Sequence, residues 1–595
     1  MSTNDAVAER LEETARMLEL LGEDAFRVNA YRKAARAVED MDESVAELAE
    51  DRTRLLDVPG IGPKLADRII ELVRTGSMPE REELRARVPA GLLDLLRVPG
   101  LGPKTVRAMW TELSITDAAG LRRAIEDGSL RALPRMGEKA IGKIKASLAF
   151  AGEAVARLPL GRAHAVAETF LTRLRGHPAV ARAEVAGSLR RGRDTVGNID
   201  LLAAVKPGRE GEAGAVLEAF AATPTVVERL DAGGERASAA AVRVTLAHDL
   251  GRWKPEPDGK GRPGPSVRVD LRVVPLAGWG AAMVWYTGSE GHRTALGRRA
   301  ASRGVSFGAG GVGGAGAASE GEVFAALGLP DLPPEVREGG RECELSAGGC
   351  PRLLEISDIR AELHAHTVAS DGALEIEELA RHALARGFHT IAVTDHSRSS
   401  AIAGGLQVDR LLAHVENVRR AAERVPGITI LAGSEVDILA DGSLDYDDDV
   451  LARLDVVVAS PHTALSQDPA AATARMLRAI ENPHVRIMGH LTGRLINRRK
   501  GLEPDLPTLF AAAAERGVAL EINAHWMRLD LRDEHVRMAM DAGCLIAVDC
   551  DVHRAEDFDN LRFGVQTARR GWVTPERCVN AWDAARLRAW LEAKS

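Results

Sequence analysis

Cysteine is scarce in this 595-residue chain: Cys343, Cys350, Cys544, Cys550 and Cys578 are odd in number and form no CxxC pair. That argues against a disulfide framework and against thiol-based zinc binding. Long apolar runs are missing as well. No stretch reaches the roughly 18 residues of a membrane-spanning helix, and Met1-Ser2-Thr3-Asn4-Asp5 carries neither the basic nor the apolar segment of a signal peptide. A soluble, cytoplasmic protein with no membrane partner is expected. Net positive charge is absent too, since 78 Lys and Arg against 86 Asp and Glu leave −8, so any surface for a polyanion must be local. Lysine is rare, 11 residues against 67 arginines, a bias given no functional weight.

What is present is ordinary in bulk. Hydrophobic residues make up 45% and charged residues 28%, the proportions of a folded chain, and the length is about four times a ~150-residue domain, so several cores are expected. Residues 1–50 hold 6 basic and 13 acidic side chains, with Leu11, Ala15, Leu18 and Leu21 at helical spacing. Such a segment repels DNA phosphates. Residues 51–150 reverse the sign, with 18 basic and 13 acidic side chains for a net +5. A near-repeat lies inside them: Leu55-Leu56-Asp57-Val58-Pro59-Gly60-Ile61-Gly62-Pro63-Lys64 and Leu95-Leu96-Arg97-Val98-Pro99-Gly100-Leu101-Gly102-Pro103-Lys104, with a weaker copy at 133–139. Residues 151–300 mix helical and strand patterns, with β-like runs at 183–186, 199–205 and 267–274, implying an α+β domain. The Gly, Ala and Ser of 304–321 and the Pro and Gly of 327–355 read as a flexible loop and an interdomain linker. After residue 358, apolar runs at 360–366, 390–395, 429–436, 456–461, 486–490, 518–523 and 545–550 alternate with helical stretches such as 375–387, 408–424 and 505–517. That is the βα rhythm of a seven-stranded parallel barrel.

Three constellations carry chemistry. In the repeated Val-Pro-Gly-x-Gly-Pro-Lys, glycines at 60, 62, 100 and 102 let a tight hairpin bring backbone N–H groups against a phosphate at a helix N-terminus. Lys64 and Lys104 add charge for a sequence-independent grip. Near-identity over ten residues favours this over two ordinary interhelical turns. The second is Gly187-Ser188-Leu189-Arg190-Arg191-Gly192, followed by Gly197-Asn198-Ile199-Asp200. Positions 198 and 200 share one face of a strand, and Asp270 on a second strand completes the trio that two-metal nucleotidyl transfer needs. One ion activates the attacking 3′-OH, and both neutralise the transferring phosphate. Gly187 and Ser188 offer close contacts to a triphosphate and Arg191 a forked donor. Such a strand pair is more often surface than catalytic, and the preceding GS-x-RRG tips the reading.

The third is the histidine-rich C-terminal third, which holds twelve of the sixteen histidines. Leu363-His364-Ala365-His366-Thr367, Ser370-Asp371-Gly372, Thr394-Asp395-His396-Ser397, Gly433-Ser434-Glu435, Ser460-Pro461-His462, Gly489-His490 and Asp551-Val552-His553 each stand at the end of a predicted strand or just beyond it. Those ends converge on one face of a parallel barrel. One or two such histidines would be read as core; ligand-type side chains after six of seven strands point to a metal centre.

On these residues, with Val28-Asn29-Ala30-Tyr31-Arg32-Lys33-Ala34-Ala35 and Tyr286-Thr287-Gly288-Ser289, residues 1–330 resemble the DNA polymerase β family (family X) and residues 358–595 resemble the PHP (polymerase and histidinol phosphatase) domain. The resemblance implies a multidomain α and α/β fold. Its expected parts are a helical DNA end-binding, lyase-like domain with a helix-hairpin-helix over 1–85, fingers with a second helix-hairpin-helix over 86–150, an α+β nucleotidyltransferase palm over 151–278, a thumb with a Gly-rich loop over 279–335, a linker over 336–357 and a seven-stranded (β/α) PHP barrel over 358–595. It also implies Trp285, Tyr286 and Gly288, with Gly187, Ser188, Arg191 and Gly197, against an incoming nucleotide. A monovalent cation is implied on the carbonyls of Leu56, Val58 and Ile61 and of Leu96, Val98 and Leu101, and Mg²⁺ or Mn²⁺ in the palm. In the barrel it implies up to three Mn²⁺ or Zn²⁺ ions, which suit His and carboxylate ligands. His364, His366, Glu435 and Asp551 would surround one, Glu435 with His462 and His490 a second, and Asp371, His396 and His553 a third. His382, His389, His414 and His525 fall off this pattern and are expected to be structural or solvent-facing.

Three departures stand out. Asn198 occupies the place of the family's first catalytic aspartate. Gly308-Ala309-Gly310-Gly311 follows Phe307 where the thumb's Asn-Glu-Tyr element belongs. Arg68 stands where the animal enzyme has its lyase lysine, and a guanidinium forms no Schiff base at ordinary pH. The expectation is a monomeric DNA repair protein acting on gapped or nicked DNA and 3′ ends, with metal-dependent 3′→5′ exonuclease activity and an impaired polymerase centre. An active gap-filling polymerase is the first alternative; a DNA-binding scaffold or small-molecule phosphoesterase is the second.

Overall fold

The structure, a computed structural model, describes residues 3–39, 45–58, 60–75, 77–96, 98, 101–133, 136–138, 140–142, 144–145, 157–231, 238–245, 266–346, 349–400 and 403–593. The chain divides into two compact units: Met1–Ala156 with Thr225–Glu228 and Arg243–Val267, and Arg157–Pro224 with Arg229–Val242 and Arg268–Ser595. Among the described residues no helix is long and apolar enough to cross a membrane.

The first unit is helical over its N-terminal part. Leu11, Ala15 and Leu18 of the helix Thr3–Leu21 are fully buried, as their spacing predicts, while Leu21 is half-buried at its end. The helices Pro63–Thr75 and Pro103–Leu113 both begin on the proline of the repeat, where a missing N–H costs nothing and the fixed φ suits helix entry.

In the second unit the strand Val180–Val185 pairs antiparallel with Asn198–Val205, which in turn pairs with residues 268–275. That second pairing is parallel, with Asp200 opposite Asp270. The Gly-rich run, expected to be a loop, forms a hairpin pairing Phe307–Gly308 with Gly311–Val312. Gly311 has φ +104°, and a Cβ there would lie 1.9 Å from the Ala315 carbonyl oxygen, so glycine serves the turn rather than mobility. The segment read as a linker is anchored too. Arg337 is 1% exposed and donates to Leu332 O and Glu320, and Glu342 accepts N–H groups of Gly339 and Gly340 beside His292. Pro and Gly composition does not reveal such buried charged partners.

After residue 358 seven strands follow one another in sequence order, every neighbouring pair parallel. Thr390–Val393, Val456–Ser460 and Ala519–Asn523 are buried at every position, as strands covered on both faces must be. The first and last strands are joined not by a ladder but by the segments beyond them: Ala365 bridges Val552, His366 N donates to Val552 O at 2.7 Å, and Leu363 N donates to Asp549 at 2.8 Å. Closure falls on the segments that bear the expected ligands.

Candidate metal centre and palm site

The barrel geometry gathers all nine expected metal ligands. His364, His366 and Asp371 follow the strand Ala361–Glu362, His396 follows Thr390–Val393, and Glu435 lies in Thr429–Asp437. His462, His490, Asp551 and His553 follow the next strands in turn. Glu435 is the hub. Its Oε1 lies 2.9 Å from His490 Nε2, 3.3 Å from His462 Nε2 and 3.4 Å from His364 Nε2, while Oε2 lies 2.8 Å from His396 Nδ1 and 3.7 Å from His366 Nε2. Asp551 Oδ1 is 3.1 Å from His366 Nε2 and 3.6 Å from His364 Nε2. Asp371 is 3.4 Å from both His396 Nε2 and His553 Nε2. Asp551 also holds φ at +53° without being glycine, a backbone cost that clusters at functional sites.

These atoms fit metal ions by their own chemistry. His364 Nε2, both ring nitrogens of His366 and His490, both oxygens of Glu435 and Asp551 Oδ1 are buried and have no hydrogen-bond partner among the described residues. Buried polar atoms are expensive to leave unsatisfied, and these converge on one another. Burial would lower the His396 and His462 pKa values, but the carboxylates of Glu435 with Asp371 and with Asp437 hold them up at about 11 and about 9. Burial, with no carboxylate strong enough to offset it, leaves His366 at about 4 and His490 at about 3. The carboxylates thus favour positive charge at these positions, a demand that metal ions would meet in exchange for protons.

Several supporting residues escaped the sequence reading. Glu521, fully buried, takes His364 Nδ1 at 2.6 Å and the His490 N–H. Asp437 takes His462 Nδ1 at 2.7 Å, and Asn523 donates to Asp551 Oδ2 at 2.9 Å. Each fixes which ring nitrogen or oxygen faces the centre. The available signal was a carboxylate inside an apolar strand, Ala519-Leu520-Glu521-Ile522. His414 pairs with Asp395 at 2.8 Å and His389 with the Trp582 carbonyl at 2.9 Å, both outside the ligand set.

In the palm, Asn198 Nδ2 donates to Asp200 Oδ1 at 3.0 Å and Asp270 Oδ2 at 3.1 Å. Arg268 forks onto Asp270 at 2.7 and 2.9 Å. Burial, then the neighbouring Asp270, raises the Asp200 pKa. Gly187 has φ +58°, and a Cβ on it would meet Asp200 Oδ2 at 2.1 Å, so only glycine lets the turn approach the acid. Gly187, Ser188, Arg191, Trp285, Tyr286 and Gly288 line one cavity of about 480 Å³ with Asn198 and Asp200. Gly197 stands outside that lining beside Arg157. The Arg191 fork is already engaged, by Glu338 at 3.0 Å and Thr287 O at 2.7 Å.

The two hairpins repeat each other in backbone detail. Ile61 N donates to Val58 O and Leu101 N to Val98 O, at 3.1 and 3.0 Å, and Gly62 O and Gly102 O accept the first helical amides. Gly60 is left-handed at φ +98°. Leu56 and Leu96 precede the turns at matching positions, half-buried, while Lys64 and Lys104 are exposed. Gly100 lies outside the described residues. Arg68 pairs with Glu80 and Tyr31.

Segments of the chain match a helix-hairpin-helix domain over residues 2–78, a SAM-like helix-hairpin-helix tandem over 92–149, a DNA polymerase beta thumb over 282–338 and a PHP domain over 362–525. Over 588 residues it is 34% identical to the DNA polymerase/3′-5′ exonuclease PolX of Bacillus subtilis (strain 168), covering 98% of each chain. The chain belongs to the PolX family. This family X polymerase architecture carries nucleotidyltransferase and PHP parts in one DNA-binding enzyme. The PHP part of the PolX-family chain is also similar to probable phosphatases, 28% identical over 244 residues to one of Thermoanaerobacter sp. (strain X514) and 32% over 231 residues to one of Edwardsiella ictaluri (strain 93-146). Those matches cover 39% and 37% of this chain and 94% and 89% of the relatives.

Proposed function

We infer that the protein is a repair nuclease that removes nucleotides from DNA 3′ ends and gaps, with a palm that binds nucleotide but extends primers poorly. The observation that carries this is the convergence of His364, His366, Glu435, His490 and Asp551, their buried atoms without hydrogen-bond partners, on one face of the barrel. The relative's name, which pairs polymerase with 3′-5′ exonuclease, supports the reading. Bound Mn²⁺ or Zn²⁺ would supply hydroxide at neutral pH and neutralise charge on the phosphodiester. Within the chain, Glu435 holds five histidines in register, Glu521 and Asp437 orient two of them, and Asp371 gathers His396 and His553. The hairpins, with Lys64 and Lys104 exposed beside them, provide the sequence-independent grip. The domain limits at 85, 150, 278, 335 and 357, the cation at the hairpin carbonyls and the monomeric state belong to the same reading.

A labelled gapped duplex incubated with Mn²⁺, with and without dNTPs, reports both activities. Expected is shortening from the 3′ end with little extension. His364→Ala and Glu435→Ala should abolish shortening while DNA affinity stays nearly unchanged, because phosphate contacts lie in residues 51–150. Wild-type degradation by either variant would remove the assignment. Gap filling is the second reading, favoured by the preserved cavity at Gly187, Ser188 and Tyr286; strong extension in the same assay would select it.

A further inference from the structure

Arg528 lies at the metal centre but belongs to none of the ligand sets. It stands in the turn after the strand Ala519–Asn523, and that turn is held on several sides. Arg528 N donates to His525 O at 2.7 Å, Met527 O accepts from Ile496 N at 2.7 Å, and the fully buried Asp530 takes both the N–H and the hydroxyl of Thr492 at 3.0 and 2.9 Å. Leu529 carries φ +42° within it. So fixed, the guanidinium points toward Asp551, with Nε 3.7 Å from Oδ2, too far for a hydrogen bond. Its Nη1 is buried and has no hydrogen-bond partner among the described residues. Nearby, both terminal nitrogens of Arg494 are taken, by Asp194 and Leu529 O, with only its Nε left buried and without a partner among the described residues, and Arg499 donates to Gly493 O.

A permanent cation here is poorly placed for the free protein. Its nearest carboxylate is one that the metal ligand set also claims, and any cation bound by His364, His366 and Asp551 would repel it. An unpartnered buried donor adds a desolvation cost. An anion held between the metal centre and the guanidinium would offset both, and a phosphodiester offers two non-bridging oxygens, one for each. We propose that Arg528 is a catalytic residue that donates to a non-bridging oxygen of the scissile phosphodiester and stabilises the charge that grows there. This rests on the nuclease reading above and extends it to a group outside the metal ligands.

The test uses the full-length protein, a 3′-labelled duplex and Mn²⁺. Arg528→Ala should lower kcat about hundredfold, the scale of losing one oxyanion donor, with metal content unchanged by elemental analysis. Arg528→Lys should recover part of the rate, since it restores charge without the fork. Added guanidinium ion should rescue Arg528→Ala and not His364→Ala, a response that a merely structural arginine would not give. Wild-type rates for Arg528→Ala while His364→Ala is dead would overturn the proposal and leave the nuclease reading standing. Loss of metal from Arg528→Ala would also overturn it, placing Arg528 as a support for Asp551. If His364→Ala itself remains active, the nuclease reading fails instead.

Discussion

Asn198 holds together two acids that would otherwise repel. Its amide bridges Asp200 and Asp270 at 3.0 and 3.1 Å, and Arg268 supplies the positive charge at Asp270. Were two divalent ions bound here, an amide at this position would leave one negative charge fewer between them than an aspartate, and such charge stabilisation is worth several kcal/mol. If roughly 3–5 kcal/mol is lost, extension slows roughly 10²–10⁴-fold. Asn198→Asp is therefore expected to raise primer extension at least tenfold, measured on a gapped template in a His364→Ala background so that degradation cannot mask synthesis. Full recovery is not expected while Arg268 competes for Asp270. Robust extension by the natural protein, or no gain from the substitution, would show that position 198 does not limit catalysis. At this scale the side chains that converge in the barrel were legible as candidate ligands because each residue type declares its chemistry: histidines and acids after six of the seven strands have few other uses. Their supports were not. Glu521 meets His364 across 157 residues of chain, and Arg268 is an ordinary strand arginine until the parallel register sets it beside Asn198.

Elements with a strong period were readable, and those made by distant pairing were not. The barrel strands came from apolar runs, several of them buried at every position, and the tandem hairpins from repeated glycine and proline positions that reappear as matching backbone bonds. If Lys64 and Lys104 each touch a phosphate at these helix starts, Lys64→Ala with Lys104→Ala should weaken binding to all sequences alike and make the log–log salt slope shallower by about 1.8 on duplex DNA. An unchanged slope in a salt titration would place both lysines off the backbone. The hairpin at 307–312 and the anchored 336–346 segment escaped composition because their partners are remote. The short helix Glu320–Ala326 shows how: Ser319 caps it, and Glu320 takes both arms of Arg190 at 2.7 Å and Arg337 at 2.5 Å. Burial alone would raise the Glu320 pKa, yet the two guanidiniums hold it at about 2 against an ordinary 4.5. A depressed carboxyl stabilises above its unfolded value, and the contribution fades as pH falls from about 4.5 to about 2, worth roughly 3 kcal/mol in all. Glu320→Gln should cost about that much in urea denaturation at pH 7, and the gap to wild type should close across that acid range. A gap independent of pH would mean that packing rather than charge is lost.

At the scale of the whole molecule, the identities of the parts were legible and the seam between palm and barrel was not, because its bonds join residues hundreds of positions apart. Arg570 at the end of the helix Leu561–Arg570 is 8% exposed and serves both sides. It reaches Asp533 twice at 2.7 Å within the barrel, the palm's Arg191 carbonyl across the seam at 2.9 Å, and Glu338 at 2.9 Å and the Glu335 carbonyl at 3.2 Å in the segment between the two. Arg191 and Arg193 return to Glu338 and Asp533 at 3.0 and 3.5 Å, and Gly192 sits where a Cβ would touch Gln566 at 3.0 Å. The turn expected to cradle a triphosphate is thus also the palm's footing on the barrel, in keeping with Arg191 giving its Nε to Glu338. Removing one member of such a buried network leaves uncompensated charge and typically costs 3–5 kcal/mol. Arg570→Ala should therefore destabilise the protein on that scale in urea denaturation and open the palm–barrel seam to limited proteolysis. Asp533→Ala should be costly as well, yet the double variant should cost less than the sum of the singles by at least about 1 kcal/mol, the signature of groups that share one network. Strictly additive costs, with no new cleavage near the seam, would show that Arg570 and Asp533 stabilise the barrel separately and that the palm is held by other contacts, such as Arg494 on Asp194 and Asn497 on the Arg157 carbonyl.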